Sequence, residues 1–415
     1  MPHQVAFTVW ARILPGMSGG LDGLLRREGA ALLPFDRLAG VHFARLLIVD
    51  DGEREPGLLF TMDVDAPLEE RLRDLVDHGA AGLDRVFAHC EGYPPPDSRV
   101  PASRTSYLRA HLVDVTVFYA HVVGRSLEQI RQEAGLRTAV EDHLDGAAAE
   151  WRGRGAREVR RMIRAFVESD PSLAWALSAP APPEPAFRWR ERLHLVLVPL
   201  VLVVLLPLLV PAVLVWLAWL RLHELRDPEP DVKLDTERLR ELRDMEDFGP
   251  QNQISTLSEI KPGAFWHLTA WVFLAVVANY ISRHVFNRGS LSGLRTVHFA
   301  RFMVLGRPRR VLFTSYYDGS LESYMNDFID KVAWVLNGVF GNESGYPRTR
   351  WLFGAGARNE TGFKAFLRGH QVPTQAWYSA YPDLTAVNVD ANARLRAGLA
   401  GDMSESEAEA WLQLL

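Results

Sequence analysis

Five pairs of polar residues recur along the chain in the same order: His42 and His298, Arg45 and Arg301, Asp65 and Asp318, Arg109 and Arg368, His111 and His370. Their types suit definite chemistry. A histidine can move a proton or ligate a metal near neutrality. An arginine can stabilise an anion or a bound peroxide. The candidates for catalytic work are His298, Arg301, Asp318 and Arg368, and the candidate ligand for a cofactor is His370. A structural role is the alternative, in which duplication copied the pairs as ties such as an Arg–Asp bridge between helix and strand. Within VHFAR, alternation along a strand puts His and Arg on opposite faces. In SYYDGSLESY, Asp318-Gly319 closes a strand and Ser320 caps the next helix, which predicts a turn role for Asp318.

The pairs belong to an internal repeat. VHFAR at 41–45 returns at 297–301, Leu59-Phe60-Thr61 returns as Leu312-Phe313-Thr314, and Gly92-Tyr93-Pro94 as Gly345-Tyr346-Pro347. Tyr107-Leu108-Arg109-Ala110-His111 returns as Phe366-Leu367-Arg368-Gly369-His370. Hydrophobic periodicity in the first copy predicts β-α-β-β-α-β with a trailing helix near 125–145, the split βαβ or ferredoxin-like unit. The expected fold class is α+β, with two such repeats pairing their sheets into an intramolecular barrel. The expected domains are repeat 1 at 1–145, an insert at 146–250, repeat 2 at 251–400, and a C-terminal helix or tail at 401–415. The stretch 264–281 is apolar enough to cross a membrane, yet the repeat makes it the first helix of the second unit. Repeat 2 is the richer in aromatics, including Tyr316, Tyr324, Trp377 and Tyr381, so a ligand pocket is expected there.

The insert must hold these units somewhere. Leu195–Leu220 carries no charge, and Trp216 and Trp219 lie near its end. Spanning a bilayer takes roughly 20 apolar residues. Pro207 and Pro211 each remove a backbone donor, so a bend is predicted between two short arms. Arg188, Arg190 and Arg192 precede the stretch and Arg221 and Arg226 follow it, which favours a membrane hairpin with both ends cytoplasmic. At 157–167, Arg157, Arg160, Arg161 and Arg164 share one helical face opposite an apolar one, the pattern of an interfacial helix. A Pro-rich spacer (178–186) and a charged surface helix (231–248) complete the insert.

With a net charge of −5 the chain is no nucleic-acid binder by composition. Its single cysteine, Cys90, excludes an intramolecular disulfide and argues against structural zinc. No phosphate loop, nucleophile elbow or HExxH occurs. The tandem arrangement resembles the dimeric α+β barrel superfamily, which includes dye-decolorising haem peroxidases and chlorite dismutases. Ser315-Tyr316-Tyr317-Asp318-Gly319 keeps the Asp-Gly of the peroxidase distal motif but has Ser for its first Gly. That resemblance implies haem, with His370 as ligand and Arg301 or Arg368 beside it. VHFAR, SYYDGSLESY and QNQISTLSEIKPG also resemble segments of uncharacterised bacterial membrane-associated proteins. Two functions are expected in parallel. One is a module at the cytoplasmic face of the bacterial inner membrane that binds lipid or a protein partner, with self-association open. The other is a haem-dependent oxidoreductase acting on a lipophilic substrate.

Overall fold

The computed structural model describes residues 3–50, 55–180, 182–230, 234, 236–286, 289–306 and 309–415. Its strands are β1 (Gln4–Arg12), β2 (Val41–Val49), β3 (Gly57–Asp65), β4 (Val117–Ala120), β5 (Gln251–Glu259), β6 (Val297–Leu305), β7 (Arg310–Asp318), the short pair β8 (Thr349–Arg350) and β9 (Gly354–Ala355), and β10 (Ala376–Ser379). The fold is α+β with antiparallel sheets. One four-stranded sheet runs β1-β3-β2-β10 and the other β5-β7-β6-β4. The last strand of each half has therefore left its own sheet for the other. β10 pairs with β2 from Ala376 opposite Leu46 to Ser379 opposite Phe43. β4 pairs with β6 from Val117 opposite Phe302 to Ala120 opposite Phe299.

Just before each crossing the chain still touches its own sheet. Val113 N donates to Thr8 O in β1 at 2.9 Å, and Thr116 N to Phe302 O in β6 at 3.0 Å. The second half repeats the first contact, with Val372 N donating to Ser255 O in β5 at 2.8 Å before β10 begins. The two halves also clasp each other through their trailing helices, Leu127–Gly146 and Ala386–Ala397. Arg137 donates to Asn392, and Arg396 donates to Glu133, the residue at Asn392's place in the first half.

The helices cover the outer faces. Leu68–Phe87 buries Leu72, Leu75, Leu83 and Val86 at helical spacing, and Leu321–Phe340 does the same in the second half. The predicted interfacial helix is a protein-packing helix instead. Ala156–Ser169 buries Val159, Ile163 and Val167 against Leu136, Leu395 and Trp411 of the C-terminal helix Glu405–Leu412. Arg160 is buried too and donates to Gly398 O, Ala400 O and Gly401 O, so the 401–415 tail and the start of the insert share one small core. Of the charged stretch 231–248, residues 231–233 and 235 lie outside the described residues. Within the rest, Thr236–Arg243 forms a helix, with Leu242 buried and Arg238 donating to Gln371 O at 2.7 Å.

The apolar stretch forms two helices, Pro185–Val204 and Leu206–Arg226, with the break at Leu205 rather than between the two prolines. Pro207 falls at the start of the second helix, where a missing donor costs nothing. Both feet of this pair stand on one helix, Ala264–His284. At one foot Arg283 pairs with Glu191, His194 Nδ1 lies 2.7 Å from His284 Nε2, and Tyr280 Oη donates to Leu195 O at 3.2 Å. At the other, Trp216 Nε1 donates to Thr269 Oγ1 at 3.0 Å and His223 stacks on Phe265. Leu220 is buried in the second-half core and does not face outward, whereas Leu195, Pro207, Pro211 and Trp219 are exposed. Glu224, also buried, anchors the end by accepting from Thr349 Oγ1, Trp351 N and Leu352 N around the β8–β9 pair. The Ala264–His284 helix packs on the second sheet through Trp266, Ala270, Phe273 and Leu274, the domain-helix position that the repeat predicts.

Candidate functional site: paired histidines where the two halves meet

His42 and His298 are each the extra residue of a β-bulge. Val41 pairs with Val64 and Phe43 with Asp63, leaving His42 between them, and the register slips in the same way between Val297 and Phe299. A bulge re-aims a side chain, so counting by alternation fails here. His42 and its neighbour Phe43 both touch Phe299 and Tyr381, and are not on opposite faces.

Each histidine is held by the aspartate that ends the neighbouring strand. His42 Nε2 lies 3.1 Å from Asp65 Oδ1, and His298 Nε2 lies 2.7 Å from Asp318 Oδ1. The second oxygen of each carboxylate accepts from a helix N-terminus, Leu127 N to Asp65 at 3.0 Å and Ala386 N to Asp318 at 2.7 Å. Each aspartate ties a ring to the start of a trailing helix. Asp318 is thus more than a turn residue, although Ser320 does cap its helix as expected by accepting from Ser323 N. With Nε2–H donated to the carboxylate, Nδ1 of each ring is the nitrogen left to face other partners.

Tyr381 stands between the two rings, its centroid 6.0 Å from His42 and 5.9 Å from His298. Burial keeps its phenol protonated well above the usual range, so Oη is the donor toward His42 Nδ1 at 3.3 Å. A cavity of about 20 Å³ adjoins His42, His298, Tyr381, Gln4, His121 and Arg125, room for one water-sized group. Around it Asp390 joins His121 Nε2 at 2.8 Å and Arg125 Nη1 at 2.9 Å. Burial alone would raise that carboxyl, but the bonds from His121 and Arg125 outweigh it and hold it below its ordinary value. Gln4 and Gln251, each opening a first strand, fasten the loops that carry these groups: Gly124 N donates to Gln4 Oε1, and Gln251 Nε2 donates to Tyr381 O. The arrangement suits passing a proton between two oriented imidazoles and a phenol. Among the described residues no set of three or more His, Cys, Asp or Glu is placed to hold a metal.

The other expected site residues lie elsewhere. Arg45 and Arg301 reach from one sheet to the other and are fully buried. Arg301 meets Asp63, Thr8 Oγ1 and Phe7 O, while Arg45 donates to Tyr316 Oη, Ser255 Oγ, Ile254 O and Ser315 O. Arg368 is clamped on Glu246 at 2.7 Å, and its counterpart Arg109 pairs with Glu69 on the surface. His111 and His370 donate Nδ1–H to the carbonyls of Tyr107 and Phe366, each at 2.8 Å, and so finish their own helices. Gly345 lies beside the Cε1 side of the His370 ring, where a methyl on it would come within 3.2 Å of Cε1 and 3.8 Å of Nε2. The helix ends thus use Nδ1 of each ring and leave Nε2.

His121, Asp390 and the glutamine pair escaped the sequence reading, and Tyr381 entered it only as one of the repeat-2 aromatics. Only the glutamines had a signal, since Gln4 and Gln251 match in the repeat register, whereas Tyr381 and His121 have no like partner in the other copy. Compared with known protein families, curated proteins and solved structures, the chain matches none.

Proposed function

We propose that this chain is a monotopic membrane protein: two ferredoxin-like repeats closed into an α+β barrel, held on the cytoplasmic face of the bacterial inner membrane by the 185–226 helix pair, where it binds lipid or a protein partner. The barrel reading is supported by the segments 112–120 and 371–380, each of which bonds to both sheets and so joins them edge to edge. The membrane reading rests on one observation. The residues between the two feet are almost all exposed and apolar, with Val204 69%, Leu208 71% and Leu214 63% accessible, while both feet stand on the same helix. Soluble surfaces rarely carry an apolar patch of more than a few hundred Å². Leu268 and Trp271 on the supporting helix, and Trp351 and Phe353 by the β8–β9 pair, extend the apolar exposure. Aromatic residues of this kind suit the headgroup boundary.

The test is flotation with vesicles of phosphatidylethanolamine and phosphatidylglycerol. The full chain should float with them. Val204→Glu/Leu208→Glu/Leu214→Glu should stay at the bottom of the gradient with an unchanged circular dichroism spectrum. A triple variant that floats as well as the parent would overturn the reading. The two His–Asp dyads about a water-sized cavity favour a second reading, proton transfer at Tyr381, whose tautomer test is given below.

A further inference from the structure

Behind the Ala264–His284 helix lies a second cavity, of about 70 Å³, walled by that helix, the outer face of the second sheet and the Leu321–Phe340 helix. Its walls are aromatic and aliphatic, among them Phe273, Ile281, Phe302, Phe328 and Leu336, and no charged residue lines it. It is about half the ~150 Å³ of an apolar cavity that stays dry yet takes up benzene or xenon. Empty apolar space costs stability in proportion to its volume. A packed core would have closed it.

Two features mark it as a site rather than a packing fault. Tyr119 lines it, is buried, and its Oη has no hydrogen-bond partner among the described residues. A buried hydroxyl left unpaired costs about 1–3 kcal/mol, which a ligand oxygen would recover. The adjoining wall is the second feature. Phe273–Ala278 is wound as a π-helix, a rare form that recurs at functional sites. The helix at the same place in the first half, Ser18–Glu28, is an ordinary α-helix.

We propose that this cavity takes the end of a membrane-dissolved molecule that is apolar apart from one carbonyl oxygen, which accepts a hydrogen bond from Tyr119 Oη. The inference rests on the membrane reading, because the helix that walls the cavity also exposes Leu268, Trp271 and Val272, and the bilayer is the source of such molecules. The cavity admits a few carbons, so it reads the carbonyl-bearing end and leaves the rest of the molecule outside.

Small probes isolate the two halves of the claim. Ligand-observed NMR would follow cyclopentanone and cyclopentane with the full chain in lauryl maltoside micelles, empty micelles subtracted. Both should bind the parent. Tyr119→Phe should weaken cyclopentanone about 3–10-fold and leave cyclopentane unchanged. Leu336→Trp, which fills the space, should abolish both, and Ala300→Val, a smaller filling change, should weaken both if the tryptophan variant does not fold. Equal cyclopentanone affinity in parent and Tyr119→Phe, or unchanged binding in a folded filling variant, would overturn the proposal. Vesicle flotation of the same variants keeps the two readings apart. Lost ketone binding with intact flotation touches only the pocket, whereas failure of the parent to float removes the membrane reading.

Discussion

Tyr316 stands in β7 where Asp63 stands in β3: Asp63 is the strand partner of Phe43, and Tyr316 that of Phe299. The exchange breaks the symmetry of the space between the sheets. Arg301 finds a carboxylate there, while the guanidinium of Arg45 lies 3.9 Å over the Tyr316 ring and spends its donors on carbonyls and hydroxyls. Two enclosed guanidiniums thus face one carboxyl group, which burial raises and both arginines pull back down.

Removing one member of a buried ion pair is costly, about 3–5 kcal/mol, because the other is stranded. Asp63→Asn should lower the free energy of unfolding by that order. Tyr316→Phe removes one hydrogen bond and keeps the ring, so it should cost about 1–2 kcal/mol. Urea titration of both variants would rank them, and the reverse order would mean that Asp63 does not balance the arginines.

Glu343 gives the fold a pH dependence of known sign. It is fully enclosed, and burial raises its carboxyl to about 8, against the opposing effects of Ser258 and Lys261. In the unfolded chain the group titrates near 4.5. Between those values the folded state holds a proton that the unfolded state has lost, so stability is complete below about 4.5 and falls as pH rises toward 8. Glu343→Gln should remove this slope and stabilise the protein at pH 8 by on the order of 1–3 kcal/mol. Thermal melts from pH 5 to pH 8 in parent and variant would show the slope or its absence.

The dyad geometry predicts a tautomer. Nitrogen-15 NMR at pH 7.5 should show the His42 and His298 rings protonated at Nε2, with Nδ1 bare. Tyr381→Phe should move the His42 Nδ1 resonance more than that of His298, because only His42 lies within hydrogen-bond reach of Oη. Nδ1–H tautomers at both positions would remove the proton-transfer reading.

The feet of the exposed helix pair set its sidedness. Single cysteines at Ala186 and Pro228, in a Cys90→Ser background, should both resist a membrane-impermeant maleimide in intact cells and both react after lysis. Reaction of the Pro228 site alone from outside would make the pair a crossing.

Much of this was written in the repeat. Matching VHFAR, the two aspartates and the FLRGH-type helix ends placed eight main strands and their helices in the right order. Which sheet each last strand joins was not legible, because alternation specifies a face and not a neighbour. The bulges hid the direction of His42 and His298 for a related reason: one inserted residue shifts parity and leaves composition unchanged. The amphipathic 156–169 helix has the charge pattern of a lipid-surface helix, and only the arrival of Trp411 from the far end of the chain shows that its apolar face is already taken. His370 and Arg368 had types that chemistry could use, but local partners, Phe366 O and Glu246, occupy them first.

The traded strands delay the closing of both sheets until the second half has been made. When residues 1–120 have left the ribosome, β2 presents a bare edge, since the strand that covers it, 376–379, is among the last to be made. β4 meanwhile has no sheet to join until β6 is made. The apolar 195–220 stretch emerges inside that interval, so on the membrane reading proposed above a nascent chain would meet the bilayer while its first sheet is still open. An uncovered edge is a template for wrong pairing, and a membrane that captures the half-made chain would hold it apart from its neighbours until its own C-terminus arrives.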